Sequence, residues 1–168
     1  YIGDTNINGY VQLAFAPDGR LIAGSGSNNT LYEITIDPAF SVNAIGTLNG
    51  GDLNISGGDL VFDEDGNMFL VTNGGAANRG LYSVDLDAMT ATRIWDNAQG
   101  YRITGLAVRF DGSGNLIASE GNSDLFLEID NTGVLLDTFD MMNFDGSAGY
   151  DHFNGDMTSL LDTVIDSG

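Results

Sequence analysis

A backbone motif returns about every 48 residues, and it restricts this chain more than any other feature. Ile7, Ile55 and Ile103 open three tandem units, each isoleucine followed by a small polar residue and a glycine (Asn8-Gly9, Ser56-Gly57, Thr104-Gly105). Seven or eight residues later comes an aromatic position read as a strand end: Phe15, Phe62 and Phe110. A polar turn follows in each unit, APDGR at 16–20, DEDGN at 63–67 and DGSGN at 111–115. Three further apolar segments complete each unit, for example LIAGSG, TLYEITID and VNAIGTL in the first. Self-similarity at this period means one supersecondary unit arrayed several times, each burying its apolar surface against the next.

Within the segments the alternation has period two. In LYEITI, Leu31, Glu33 and Thr35 fall on one face, and Tyr32, Ile34 and Ile36 on the other. Short runs rich in Val, Ile, Leu, Phe and Tyr, bounded by Gly, Asn and Asp, are hairpin-linked strands. Asp-Gly and Gly-Asn at the turns supply the positive-φ positions that tight hairpins need. No stretch has a helical period, so the expected class is all-β. Four short antiparallel strands in 40–50 residues make the blade of a β-propeller.

The pattern apolar-x-Phe-Asp-x-Asp-Gly-Asn-apolar … Leu-Tyr-x-Ile-Asp resembles a large group of propeller repeats. It is clearest in LVFDEDGNMFLV and GLYSVD. That group includes NHL-like, streptogramin-lyase-like and gluconolactonase-like propellers and the repeats of secreted bacterial surface proteins. The resemblance implies tandem four-stranded antiparallel blades, and its motifs specify strands and turns rather than a reaction. The alternative is a β-trefoil, which also has three four-stranded units of similar length. The expected organisation is a single repeat domain over 1–168, with units at about 7–54, 55–102 and 103–151 and the start of a further unit at 152–168, where GDMTSL matches GGDLVF. Three blades and a strand fall short of the four to eight that close a propeller. A partial propeller of this kind is completed either by the remainder of a longer chain or by self-association.

Twenty-four acids stand against five arginines, with no lysine, for a formal charge of −19. Such a surface repels phosphate backbones and anionic headgroups, which argues against nucleic acid as a partner. No apolar run approaches the roughly 18 residues of a spanning helix, which argues against membrane insertion. Without cysteine there is no disulfide frame, thiolate site or Cys nucleophile. Asp outnumbers Glu heavily, and Asp both favours turns and supplies hard oxygen ligands. An Asp-rich, Gly-rich, lysine-free chain points to an extracellular or cell-surface setting in which calcium is the expected ion.

Asp63, Asp65 and Asn67 in DEDGN have the oxygen density of a calcium loop, echoed by Asp111, Ser113 and Asn115. In the first unit only Asp18 is kept, and a hairpin turn capped by its own Asp side chains explains the same residues. Asp4, Asn6 and Asn8, followed by Gly9, fit the first half of an EF-hand-type loop, but its twelfth position is Phe15 and not a bidentate acid. Asp137, Asp140, Asp145 and Asp151 form a third acidic group. His152 is the single histidine, and no nucleophile elbow accompanies it. Trp95, Tyr101, Tyr150 and Phe153 lie near turns or unit borders, where aromatic rings stack on sugars; Trp95 sits where Ile45 and Leu136 or Phe139 sit in the sister units, and packing of the outer strand is the favoured account of it. No catalytic residue is assigned. The expected role is a non-enzymatic binding or scaffold module with a protein or glycan ligand. The alternatives are a lectin, a structural subunit of a surface layer or filament, and a metal-dependent lactonase or lyase.

Overall fold

The computed structural model describes residues 5, 7–109 and 111–140. Twelve strands form three four-stranded antiparallel meanders in chain order. The first sheet holds β1 (Tyr10–Phe15), β2 (Leu21–Ser25), β3 (Thr30–Thr35) and β4 (Ser41–Thr47). The second holds β5 (Gly58–Phe62), β6 (Met68–Thr72), β7 (Gly80–Asp85) and β8 (Thr90–Trp95). The third holds β9 (Ile103–Val108), β10 (Leu116–Glu120), β11 (Leu125–Ile129) and β12 (Leu135–Asp140). A single 3-10 turn, Ala76–Asn78, is the only helical piece among the described residues.

Among the described residues every strand ladder stays inside its own unit, and one isolated parallel bridge, Asn49 to Thr90, crosses a unit border. A trefoil would pair strands across units, so that alternative is not what forms. Instead β1 lies against β5 and β5 against β9. The first strands are thus innermost, and the sheets stand side by side as blades of a partial propeller.

Alternation gives each blade two apolar faces. One, here called leading, is turned toward the preceding unit; the other, trailing, toward the following one. The trailing face of the first blade, including Ala14, Ile22 and Leu31, packs on the leading face of the second, including Leu60, Phe62, Met68, Leu70, Tyr82 and Val84. Val61, Phe69, Val71, Leu81 and Trp95 on the second blade's trailing face pack in the same way on Leu106, Val108, Leu116, Ala118, Leu127 and Ile129. The core is therefore two layers between three sheets. Each fully buried Leu or Ile contributes about 1.5–3 kcal/mol of transfer free energy, and most of it is gained only when a neighbouring blade is present.

The turns close as the Gly spacing predicts. Ala16 N–H donates to Arg20 C=O (2.8 Å) and Asp63 N–H to Asn67 C=O (3.0 Å). Gly19 and Gly66 take the left-handed position, at φ 87° and 85°. The third turn corrects the sequence alignment at Phe110. There Arg109 N–H closes on Asn115 C=O (2.7 Å), so the loop is two residues longer than its sisters. Val108, paired with Leu116, holds the register of Phe15 opposite Leu21 and of Phe62 opposite Met68. The strand ends at Val108, and Phe110, the aromatic that the sequence alignment places at this strand end, lies outside the described residues.

Candidate functional surface

The Asp-rich turns at one end of the blades are organised around their own backbone. Asp63 Oδ1 accepts N–H bonds from Asp65 (3.1 Å) and Asn67 (2.8 Å), while its Oδ2 accepts from the Asn67 side-chain amide (2.8 Å). Both carboxylate oxygens are thus engaged, and Asp65 and Asn67 are exposed. Asp85 accepts from Asp87 and Ala88 N–H, and Asp130 from Thr132 and Val134 N–H. These are Asx turns, in which the side chain supplies the acceptor that the reversing backbone lacks.

Charge shapes the third blade's turn. Arg109 bridges Asp111 (Nε to Oδ2, 2.6 Å) and Glu128 (2.8 Å), and Glu128 also accepts from Asn115 Nδ2 (2.6 Å). The Asp111 carboxyl is held below its ordinary value, first by the Ser113 hydroxyl and then by the Ser113 N–H. Arg109 is pushed up, chiefly by its hydrogen bond to Glu128. Asp18 is lowered by the Arg20 N–H and side chain. Among the described residues, no three of His, Cys, Asp and Glu converge as a metal would require. Asp63, Asp65 and Asn67 share one turn, while Asp111 belongs to another blade and is paired with arginine.

The opposite end carries the second-to-third-strand loops and the connectors between blades. Asn8 is exposed there, and its carbonyl accepts from Ser25 Oγ (3.2 Å). Asp4 and Asn6, the rest of that candidate loop, lie outside the described residues, as do Tyr150, His152, Phe153, Asp145 and Asp151. Tyr101 is half-buried, with its backbone N–H and C=O both bonded to the Asn97 side chain (2.9 and 2.7 Å). Trp95 is 8% exposed and packs between the second and third blades. Asp137 and Asp140 lie on β12, where Asp137 accepts from Thr138 N–H (2.8 Å).

Sequence reading missed the polar residues that join one blade to the next. Gln12, in β1, donates Nε2 hydrogen bonds to the carbonyls of Gly57 and Val71 in the second blade (both 3.2 Å). Asp59 holds the same register in β5; its Oδ2 accepts from Leu106 N–H in the third blade and its Oδ1 from Leu60 N–H (both 2.8 Å). Both side chains are buried. A detectable signal existed: each lies three residues before a strand-end Phe, in a strand otherwise apolar on that face. Asn29, at φ 55°, ties the first blade's loop to the connector, donating to Leu53 C=O (2.8 Å) and accepting from Ile55 N–H (3.1 Å). Glu120 caps the third blade's loop by accepting from Arg102 and Asn122 N–H and from Ser123 Oγ.

No family model and no curated protein matches the sequence. Solved structures do. A virginiamycin B lyase from Staphylococcus aureus aligns over 83% of this chain and 44% of its own, at 15% identity and TM-score 0.59. A putative gluconolactonase aligns over 77% and 48%, at 17% identity and TM-score 0.54. The Swd1 β-propeller domain of Myceliophteria thermophila aligns over 89% and 46%, at 15% identity and TM-score 0.50. The chain therefore spans less than half the length of each. At these identities the likeness carries the architecture alone: the described residues are three blades of a β-propeller.

Proposed function

We propose that the chain is a non-enzymatic binding or scaffold module of a secreted or cell-surface protein, with loops held rigid on propeller blades for a protein or glycan partner. The observation that supports this most is how the turn acids are used. Asp63, Asp85 and Asp130 direct their oxygens at their own backbone N–H groups, and Asp111 pairs with Arg109. Acids engaged in this way shape the loops on which a partner would dock. The likeness to a lyase and a gluconolactonase suggests the rival reading, in which carboxylates converge on a central channel and work with a metal.

Calcium enters this proposal as a stabilising ion. A chain at −19 repels itself, and divalent cations at exposed acids such as Asp65 relieve that repulsion. One set of measurements tests both claims on the full chain. Melting is compared in chelator and in millimolar calcium, and turnover of lactones and of virginiamycin B is followed with the same ion present. The expected result is a higher melting temperature with calcium and no turnover. An unchanged melting curve removes the calcium claim; metal-dependent turnover removes the non-enzymatic one.

A further inference from the structure

We propose, resting on the binding-module reading above, that Arg79, Arg93 and Arg102 at the loop end of the second and third blades bind a carboxylated sugar chain of the uronate type.

Five arginines stand among twenty-four acids, and they are used in two ways. Arg20 and Arg109, at the end that holds the Asp-rich turns, are both ion-paired, to Asp18 and Glu33 and to Asp111 and Glu128. The other three bond to neutral acceptors. Arg79 Nη1 donates to Gly100 C=O (2.8 Å), and Arg102 Nη1 to Asn122 Oδ1 (3.1 Å). Arg93 donates Nη2 to Ala77 C=O (2.9 Å) and Nε to the Tyr82 hydroxyl (3.1 Å). Among the described residues no carboxylate lies within ion-pair distance of these three. Their charge is left uncompensated in a chain that has acids in large excess.

The same contacts set the three side by side. Ala77, which receives Arg93, is two residues from Arg79, and Gly100, which receives Arg79, is two residues from Arg102. They form a strip over the 3-10 turn of the second blade, the connector to the third blade and the loop after β10. Arg93 and Arg102 are exposed and Arg79 is half-buried. Of the five N–H donors on each guanidinium, Arg79 and Arg102 each use one within the chain and Arg93 uses two. The remaining donors are left for an incoming anion. The acids of these segments are otherwise placed: Asp96 accepts from Ala98 N–H (3.2 Å), and Asp124 is half-buried. Glu120 is buried and accepts from Arg102 and Asn122 N–H and from Ser123 Oγ.

The side chains around the arginines select the ligand. A planar guanidinium fork matches a carboxylate two N–H groups at a time. Gln99 and Asn122 are exposed neutral amides suited to sugar hydroxyls, and Tyr101, half-buried beside Arg102, offers a ring with one apolar face for a pyranose. None of the exposed large apolar side chains among the described residues lies in these segments, so they lack the apolar anchors of a protein interface. The net charge of −19 does not forbid an anion here. β6 and β10 are five residues each, so the acidic turns stand about 16 Å away at the other end of the strands. Screening at physiological salt acts over about 8 Å.

The test titrates the full 168-residue chain with oligogalacturonate by calorimetry, in chelator so that calcium cannot bridge the carboxylates. The neutral methyl ester of the same sugar chain and an oligoglutamate are the comparison ligands. Oligogalacturonate should bind, more weakly as salt rises, and the ester should bind about tenfold more weakly or not at all. Arg102→Ala should weaken binding about tenfold or more, the loss expected for one hydrogen bond to a charged group. Arg102→Lys, which keeps the charge without the fork, should fall between Arg102→Ala and the parent. Arg20→Ala, at the other end, should bind as the parent does, and thermal circular dichroism checks that each variant is folded. No binding of oligogalacturonate, or binding indifferent to salt and to both Arg102 variants, overturns the proposal. So does oligoglutamate bound equally well with the same dependence on Arg102, which would assign the strip to an acidic peptide. Binding of the ester as tight as that of the acid, unaffected at Arg102, removes the carboxylate strip and leaves the binding module standing. Cleavage of the sugar chain, read as new chain ends, removes the non-enzymatic reading and the proposal with it.

Discussion

Asp59 is the sharpest place to perturb the junction between blades. Its carboxylate accepts two N–H bonds at 2.8 Å, from Leu60 in its own strand and Leu106 in the next blade, and the side chain is buried. A hydrogen bond to a charged group contributes about 1.5–3 kcal/mol, and a buried donor left without its acceptor costs a similar amount. Asp59→Ala leaves both donors without this acceptor, for a loss of about 3–5 kcal/mol after the relief of burying a charge is set against it. Asp59→Asn keeps one oxygen but turns an NH2 toward the second donor, for about 2 kcal/mol. In a chain of this size 1 kcal/mol moves the melting temperature by roughly 2–4 °C, so about 10 °C is expected for Ala and about 5 °C for Asn. Thermal circular dichroism reads both, and amide exchange at Leu106 should quicken in each. Melting within about 1 °C of the parent for both variants, with Leu106 exchange unchanged, would refute the view that this carboxylate joins the blades.

Two further outcomes follow from the same geometry. Trp95 is the single tryptophan and is buried between the second and third blades, so its emission should lie well to the blue of free tryptophan and resist acrylamide; solvent-like emission from the native chain would contradict that packing. Asp130 is held below its ordinary value, first by the Val134 N–H and next by the Thr132 hydroxyl. A carboxyl depressed in the folded state adds stability above its unfolded pKa of about 3.9 and loses it as pH falls through the lower folded value. Asp130→Asn should therefore melt below the parent at pH 6, with the gap narrowing below about pH 4. A gap independent of pH would mean that the carboxylate charge contributes nothing there.

The architecture was legible because its determinants are local. Period-two alternation, Gly at the left-handed turn positions and the recurrence at Ile7, Ile55 and Ile103 each act over a few residues, and together they place all three meanders. The longer third turn was hidden for the same local reason: DGSGN resembles its sister turns, yet the loop closes from Arg109 N–H to Asn115 C=O. Candidate metal residues were harder to judge. Sequence shows how many oxygens a turn contains but not whether their lone pairs are already in use, and Asp63 uses both of its oxygens on Asp65 and Asn67. Gln12 and Asp59 escaped notice because their partners lie 45 to 59 residues away along the chain. A polar residue on an apolar strand reads as an exception until its register is compared across units.

The bridge between Asn49 and Thr90 bears on where the array can be cut. Asn49 donates to Met89 C=O (2.9 Å) and accepts from Ala91 N–H (2.8 Å), so the connector leaving the first blade lies along the open edge of the second. The short stretch 48–50 is encoded with one repeat and serves its neighbour. A chain trimmed at the sequence border near Ile55 would lose it, exposing a bare strand edge that invites intermolecular pairing. Dissection of the chain, or grafting of its blades elsewhere, should keep these connector residues with the blade they shield.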